Sequence, residues 1–177
     1  MGVDLATYIR IGVAILLCAM AAWTDFRTWR IPNPLTFTGL FLGLAIGLVS
    51  SGPKGILAAG VGALVTVLVP LILFRMGAMG GGDVKLFAAL GALLGTGMGL
   101  ETQMAAFMFG AAQGIIIWIK RGQLRAGFTK TLALIIPPVF KKHKHRGNSM
   151  AITNTEIRFG PAVLAGVVVA CSARFIG

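Results

Sequence analysis

Acidic side chains are what this sequence has least of: five Asp and Glu among 177 residues, against sixteen Lys and Arg. Charged residues of both signs together make up 12% of the chain while 56% is hydrophobic, which excludes a soluble domain with an ordinary polar surface. Cysteine is nearly absent too. Cys18 and Cys171 each lie inside an apolar run with no Cys close by in sequence, so neither a CxxC zinc site nor a disulfide framework is indicated. The first apolar run follows no basic segment and leads into no small-residue cleavage site, continuing instead into "WTDFRTWRIPNP". It is expected to be a retained span rather than a signal peptide.

What the chain does have is long hydrophobic runs. A hydrocarbon core of roughly 30 Å takes about 20 apolar residues at helical rise. Six candidate spans emerge: 6–23, 35–50, 55–74, 84–99, 102–119 and 159–176. The second and fourth are short for a full crossing. The expected fold is all-α, a polytopic membrane bundle of about six transmembrane helices forming a single membrane-embedded domain over 1–177.

The excess of basic residues does not point to nucleic acid, because they sit between hydrophobic segments with no soluble fold to display them. With the N-terminus outside, Arg27, Arg30, Arg75, Lys85 and the basic segment 120–158 all fall on one side, leaving Arg10, Lys54 and Arg174 on the other. The positive-inside rule assigns the richer side to the cytoplasm. The segment 120–158 is therefore read as a solvated cytoplasmic loop. His143 and His145 within "KKHKHRGNS" are flanked by positive charge that opposes a metal ion, and "TLALIIPPVF" is too short to span.

Glycine recurs at four-residue intervals at Gly39, Gly43 and Gly47, at Gly91 and Gly95, and at Gly110 and Gly114. Such small-residue faces let helix backbones approach closely in lipid. The run Gly80-Gly81-Gly82 is different, since consecutive glycines cost backbone entropy and offer no packing surface.

Ionisable groups at membrane depth are expensive and mark functional candidates. Asp4 and Glu101 fall at expected outer ends and Glu156 in the basic loop. Asp25 follows the first apolar run and Asp83 precedes the fourth, which puts both at the same cytoplasmic rim. Each has a local explanation: Asp83 as a helix N-cap complementing the helix dipole, Asp25 as a partner for Arg27 or Arg30. Asn33 followed by Pro34 likewise reads as an N-cap with proline at the first helical position. Neither explanation of the aspartates accounts for the triple glycine. Two carboxylates brought within a few Å cannot both ionise, so such a pair can activate water while protonating a carbonyl or leaving amine. A backbone without Cβ atoms would let an extended peptide approach them.

The stretches "GGGDVKL" (80–86), "DFRTWRIPN" (25–33) and "RFGPAVLAG" (158–166) together resemble the prepilin peptidases, and most closely the short form associated with Tad/Flp pili. The GxGD element alone is weak; joined to D-x5-IPN in the right order it is fairly specific. The resemblance implies a membrane aspartic peptidase that removes the leader of type IV prepilins at the cytoplasmic face of a bacterial inner membrane. It maps the catalytic pair onto Asp25 and Asp83, with Gly80, Gly81 and Gly82 shaping the substrate path. No metal or organic cofactor is implied, and the partners are a prepilin or pseudopilin substrate and the lipid bilayer. Lys85 belongs to the motif without a deducible role. The paired CxxC motifs of the longer relatives are missing from this sequence, so peptidase activity without N-methyl transfer is expected. The rival readings are an archaeal preflagellin-type or other GxGD membrane peptidase and, from another class, a small ion or proton transporter.

Overall fold

The computed structural model describes residues 5–120 and 159–176. The described residues are almost wholly helical: α1 (Leu5–Thr28), α2 (Asn33–Arg75), α3 (Gly81–Lys120) and α4 (Phe159–Ile176). The chain divides into two compact units, residues 1–110 with 158–177 and residues 111–157. Of the second unit only the closing turns of α3, through Lys120, are described. The basic segment from 121 onward, with His143, His145 and Glu156, lies outside the described residues, as does Asp4. Everything below concerns the first unit.

Helices α2 and α3 are each broken once, and each break is a fold-back. In α2 the helical dihedrals fail at Ser51 and Gly52, the latter at φ 59°, ψ −144°, a region open to glycine and strained for other residues. Pro53 follows and restarts the helix at the position where a missing N–H costs least. The two arms then lie side by side: a Cβ at Gly55 would overlap the Gly47 carbonyl, and one at Gly47 would sit 3.4 Å from Ala59. Gly47 and Gly55 would be roughly 12 Å apart along a straight helix, so the contact requires a hairpin. In α3 the break falls at Gly95, φ 75°, ψ 179°. A Cβ at Gly99 would lie 3.3 Å from the Gly91 Cα, which again requires the second arm to return on the first.

Six apolar helical segments thus occur among the described residues, in the order expected from hydropathy. The break in the second pair lies at Gly95 rather than between 99 and 102, because the close approach of Gly91 and Gly99, not the hydropathy minimum, fixes the turn. Counted as unbroken helices, α1, α2 and the 81–117 portion of α3 are long and apolar enough to cross a membrane, and α4 is a shorter apolar helix. The molecule is a polytopic helical membrane bundle.

Its packing follows from lipid being no better a solvent for leucine than a neighbouring helix is. Large apolar side chains point outward, with Val49 87% and Leu64 69% exposed, whereas the crossings are made by small residues. A Cβ at Gly43 would come within 2.8 Å of Ala92, and one at Gly62 would overlap the Gly91 carbonyl. Thr66, fully buried, places its hydroxyl 2.9 Å from the carbonyls of both Gly62 and Phe87 and so ties α2 to α3. The inner face of α1, Ile11, Ala14, Leu17, Cys18 and Ala21, joins Leu86, Phe87, Leu90 and Leu93 of α3 and Val163, Val167 and Cys171 of α4 in one core. Cys18 and Cys171, far apart in sequence, share that core as free thiols.

Candidate active site

The last turn of α1 and the first turn of α3 meet at one end of the bundle. Asp25 lies inside α1 rather than on the following loop, and α1 ends three residues later at Thr28. The chain then turns sharply: the Trp29 N–H donates to the Asp25 carbonyl at 3.1 Å, with Trp29 at φ 57°. A bulky aromatic in the left-handed region is strained, and here the strain turns Arg30–Asn33 back across the face of Asp25. Neither Arg27 nor Arg30 pairs with Asp25; the Arg27 guanidinium stacks over Trp23 at 4.8 Å instead.

Asp83 is the third residue of α3, since the helix already begins at Gly81. It is therefore not the N-cap. From the third position its carboxylate reaches back and accepts from the Gly80 backbone N–H, the acidic half of a capping box with glycine as the other half. Gly81 and Gly82 accordingly belong to the first turn of the helix, with Gly80 immediately ahead of it, and none of the three adopts a positive φ. Their conformational freedom is unused; what matters is their missing side chain. A Cβ at Gly82 would lie 3.1 Å from the Ile31 Cβ, and one at Gly81 3.3 Å from the Phe74 ring.

Asn33 does not cap α2. Pro32, at φ −63° and ψ 135°, holds the extended position ahead of the helix, with Asn33 as the first helical residue and no side-chain cap. The freed Asn33 Oδ1 accepts a 2.7 Å hydrogen bond from Lys85 Nζ, whose ammonium also sits 5.6 Å from the Phe37 ring. Lys85 thereby joins the two motifs.

The partner of Asp25 comes from the far end of the chain, where the Gly160 backbone N–H donates to Asp25 Oδ2 at 3.1 Å. Gly160 is required to be small: a Cβ there would lie 3.0 Å from the Ala22 Cα and 3.0 Å from Asp25 Oδ2. The approach of α4 is fixed by three rings, Phe87, Phe107 and Phe159, whose centroids are 5.7 to 6.3 Å apart. This aromatic cluster lies one helical turn beneath Asp83.

These elements enclose a cavity of about 460 Å³ lined by Asp25 and Asp83, Trp29 to Asn33, and Gly80 to Gly82. All five residues singled out from the sequence thus line one space, and the two carboxylates are near enough for their charges to interact. Sequence reasoning missed Trp29, Arg30 and Ile31 as its walls, and Gly160 as the donor to Asp25. No group of three His, Cys, Asp or Glu side chains able to hold a metal converges among the described residues. What the arrangement can do chemically is present two carboxyl groups to one cavity whose wall includes three residues without Cβ atoms.

A helical membrane bundle with paired carboxylates at one rim defines the class of protein. Comparison with known proteins places it more closely. The chain belongs to the type IV leader peptidase family, whose profile matches residues 12–118. It is 41% identical over 91 residues to prepilin peptidase EppA of Methanothermobacter thermautotrophicus, a match covering 46% of this chain and 22% of that protein. It is 36% identical over 107 residues to the prepilin leader peptidase/N-methyltransferase of Bacillus subtilis, covering 59% of this chain and 41% of the relative. The chain therefore spans less than half the length of either relative. No solved structure matches it.

Proposed function

We propose that this protein is an aspartic endopeptidase that removes the leader from type IV prepilins, those of the Flp type in particular, at the cytoplasmic face of a bacterial inner membrane. The observation that carries the reading is the meeting of Asp25 and Asp83, 58 residues apart in sequence, on one cavity beside Gly80–Gly82. Family membership and the two prepilin peptidase relatives support the substrate class. Orientation follows from charge: Arg27, Arg30, Arg75 and Lys85 gather at the carboxylate end, while Lys54 marks the opposite turn.

In this mechanism the two carboxyls share one proton, because two negative charges this close in a partly desolvated space repel. The ionised member takes a proton from water as its oxygen bonds to the scissile carbonyl carbon. The protonated member gives its proton to the carbonyl oxygen. The proton taken from water then passes to the leaving nitrogen as the C–N bond breaks, and the other carboxylate regains its proton from the diol hydroxyl. With water as nucleophile, no covalent enzyme intermediate forms. The Gly160 N–H commits Asp25 Oδ2, and the Gly80 N–H holds the Asp83 carboxylate, so both groups are oriented before substrate arrives. The bound peptide runs extended over Gly80–Gly82, with its hydrophobic helix in the adjacent bilayer. The residues 1–177 act as one membrane-embedded domain, whose basic segment 120–158 lies on the cytoplasmic side.

The test is co-expression with a Flp-type prepilin, with leader removal read by gel shift for the wild type, Asp25→Asn and Asp83→Asn. Both variants should accumulate in the membrane and leave the prepilin uncut. Processing at the normal rate by either variant would rule out the carboxylate pair.

A further inference from the structure

A second, smaller cavity of about 190 Å³ occupies the other end of the bundle. It is lined mainly by Thr7 and Arg10 of α1 and by Leu93, Leu94, Gly97 and Met98 of α3. Arg10 is the one charged side chain on its wall. The guanidinium Nε is fully buried and has no hydrogen-bond partner, one of three such side-chain atoms among the described residues. A cation with a buried, unpartnered donor is costly at membrane depth and calls for an anion.

The rest of the wall suits that anion. Because α3 breaks at Gly95, Gly97 and Met98 open a helical arm, and the first amides of a helix lack intrahelical acceptors. Thr7 adds a hydroxyl from α1. Ile11, Leu93, Leu94 and Met98 make the remaining surface apolar, as the first carbons of acyl chains would require. Depth fixes the neighbourhood: Arg10 and Asp25 are fifteen residues apart on α1 (10 to 25), roughly 22 Å at 1.5 Å per residue. With Asp25 at one interface of a core roughly 30 Å thick, Arg10 approaches the other, within reach of its phospholipid phosphates.

The geometry points to a phosphate-binding site in which Arg10, Thr7 and the amides of Gly97 and Met98 hold the phosphodiester of a membrane phospholipid, in the leaflet opposite the carboxylate pair. A guanidinium binds two phosphate oxygens at once, which an ammonium does not. The lipid bridges α1 to the turn of α3, the two helices that carry Asp25 and Asp83 at their other ends. The site stands independently of the peptidase reading.

Full-length protein purified in mild detergent provides the test, with native mass spectrometry counting retained phosphatidylglycerol. Wild type should keep one molecule through delipidation, Arg10→Gln should keep at least tenfold less, and Arg10→Lys should fall between them. Thr7→Val should lower retention severalfold, and it decides the matter should Arg10→Gln fail to accumulate. Diacylglycerol, which has no phosphate, should not be retained. Inorganic phosphate at millimolar concentration that displaces the lipid from wild type, but has no effect on Arg10→Gln, supports the same site with the free anion as its source. Equal retention by wild type, Arg10→Gln and Thr7→Val, or diacylglycerol held as firmly as phosphatidylglycerol, overturns the proposal.

Discussion

Lys85 donates a 2.7 Å hydrogen bond to the side-chain oxygen of Asn33, joining the first turn of α3 to the first turn of α2 across 52 residues of sequence. Both sit beside the cavity, and Asn33 lines it. The bond holds the Ile31–Asn33 wall at a fixed distance from Gly80–Gly82. Asn33→Ala and Lys85→Met should each slow prepilin cleavage several-fold without abolishing it, and each should cost ~1 kcal/mol of stability. Combining them should cost little more than either alone, as a double-mutant cycle on cleavage rate and thermal unfolding in detergent would reveal.

Gly82→Ala places a methyl group 3.1 Å from the Ile31 Cβ, on the wall of the cavity. Alanine suits the helical dihedrals there, so the helix itself gains slightly. The variant should therefore accumulate and unfold normally yet lose most of its cleavage rate, chiefly through a higher KM. Initial rates at several prepilin concentrations in detergent micelles measure it.

Gly160→Ala acts on Asp25 from the opposite side. Its Cβ would meet the Ala22 backbone and the Asp25 carboxylate at 3.0 Å, so α4 must move off α1 and take the Gly160 N–H with it. Asp25 then loses its orienting donor, and the expected loss is about tenfold in kcat with KM little changed. A loss confined to KM would assign Gly160 to substrate binding instead.

Gly91→Ala tests the scaffold rather than the site. A Cβ there overlaps both the Thr66 hydroxyl and the Gly62 carbonyl, at a crossing with no room to yield. Overpacking of this kind costs about 1–3 kcal/mol or more. The variant should unfold at clearly lower temperature, and Thr66→Ala, which removes the overlapping hydroxyl, should recover part of the loss when combined with it.

Much of this was legible in the sequence, for identifiable reasons. The fold-back of α2 was readable because "SSGP" combines a residue that tolerates positive φ with one that restarts a helix, and both signals are local. The turn of α3 was not, since "GTGMGL" offers glycines at 95, 97 and 99, and hydropathy cannot choose among them. Gly95 takes the turn because Gly91 and Gly99 must then meet beside Thr66, a decision made by packing. Asp25 and Asp83 could be singled out because acids are so rare here. The cap assigned to Asn33 failed because Pro32 already holds the extended position, which frees Asn33 for Lys85. The bond from Gly160 to Asp25 spans 135 residues and leaves no trace in local pattern.

That bond also sets a clock. Asp25 lies in α1, but the amide that orients it belongs to α4, so the site is not completed until α4 has entered the bilayer and docked against α1. A nascent chain halted after α3 carries both carboxylates without that amide. Orientation of Asp25 thus arrives only with the docking of α4, which makes closure of the bundle and completion of the site one event.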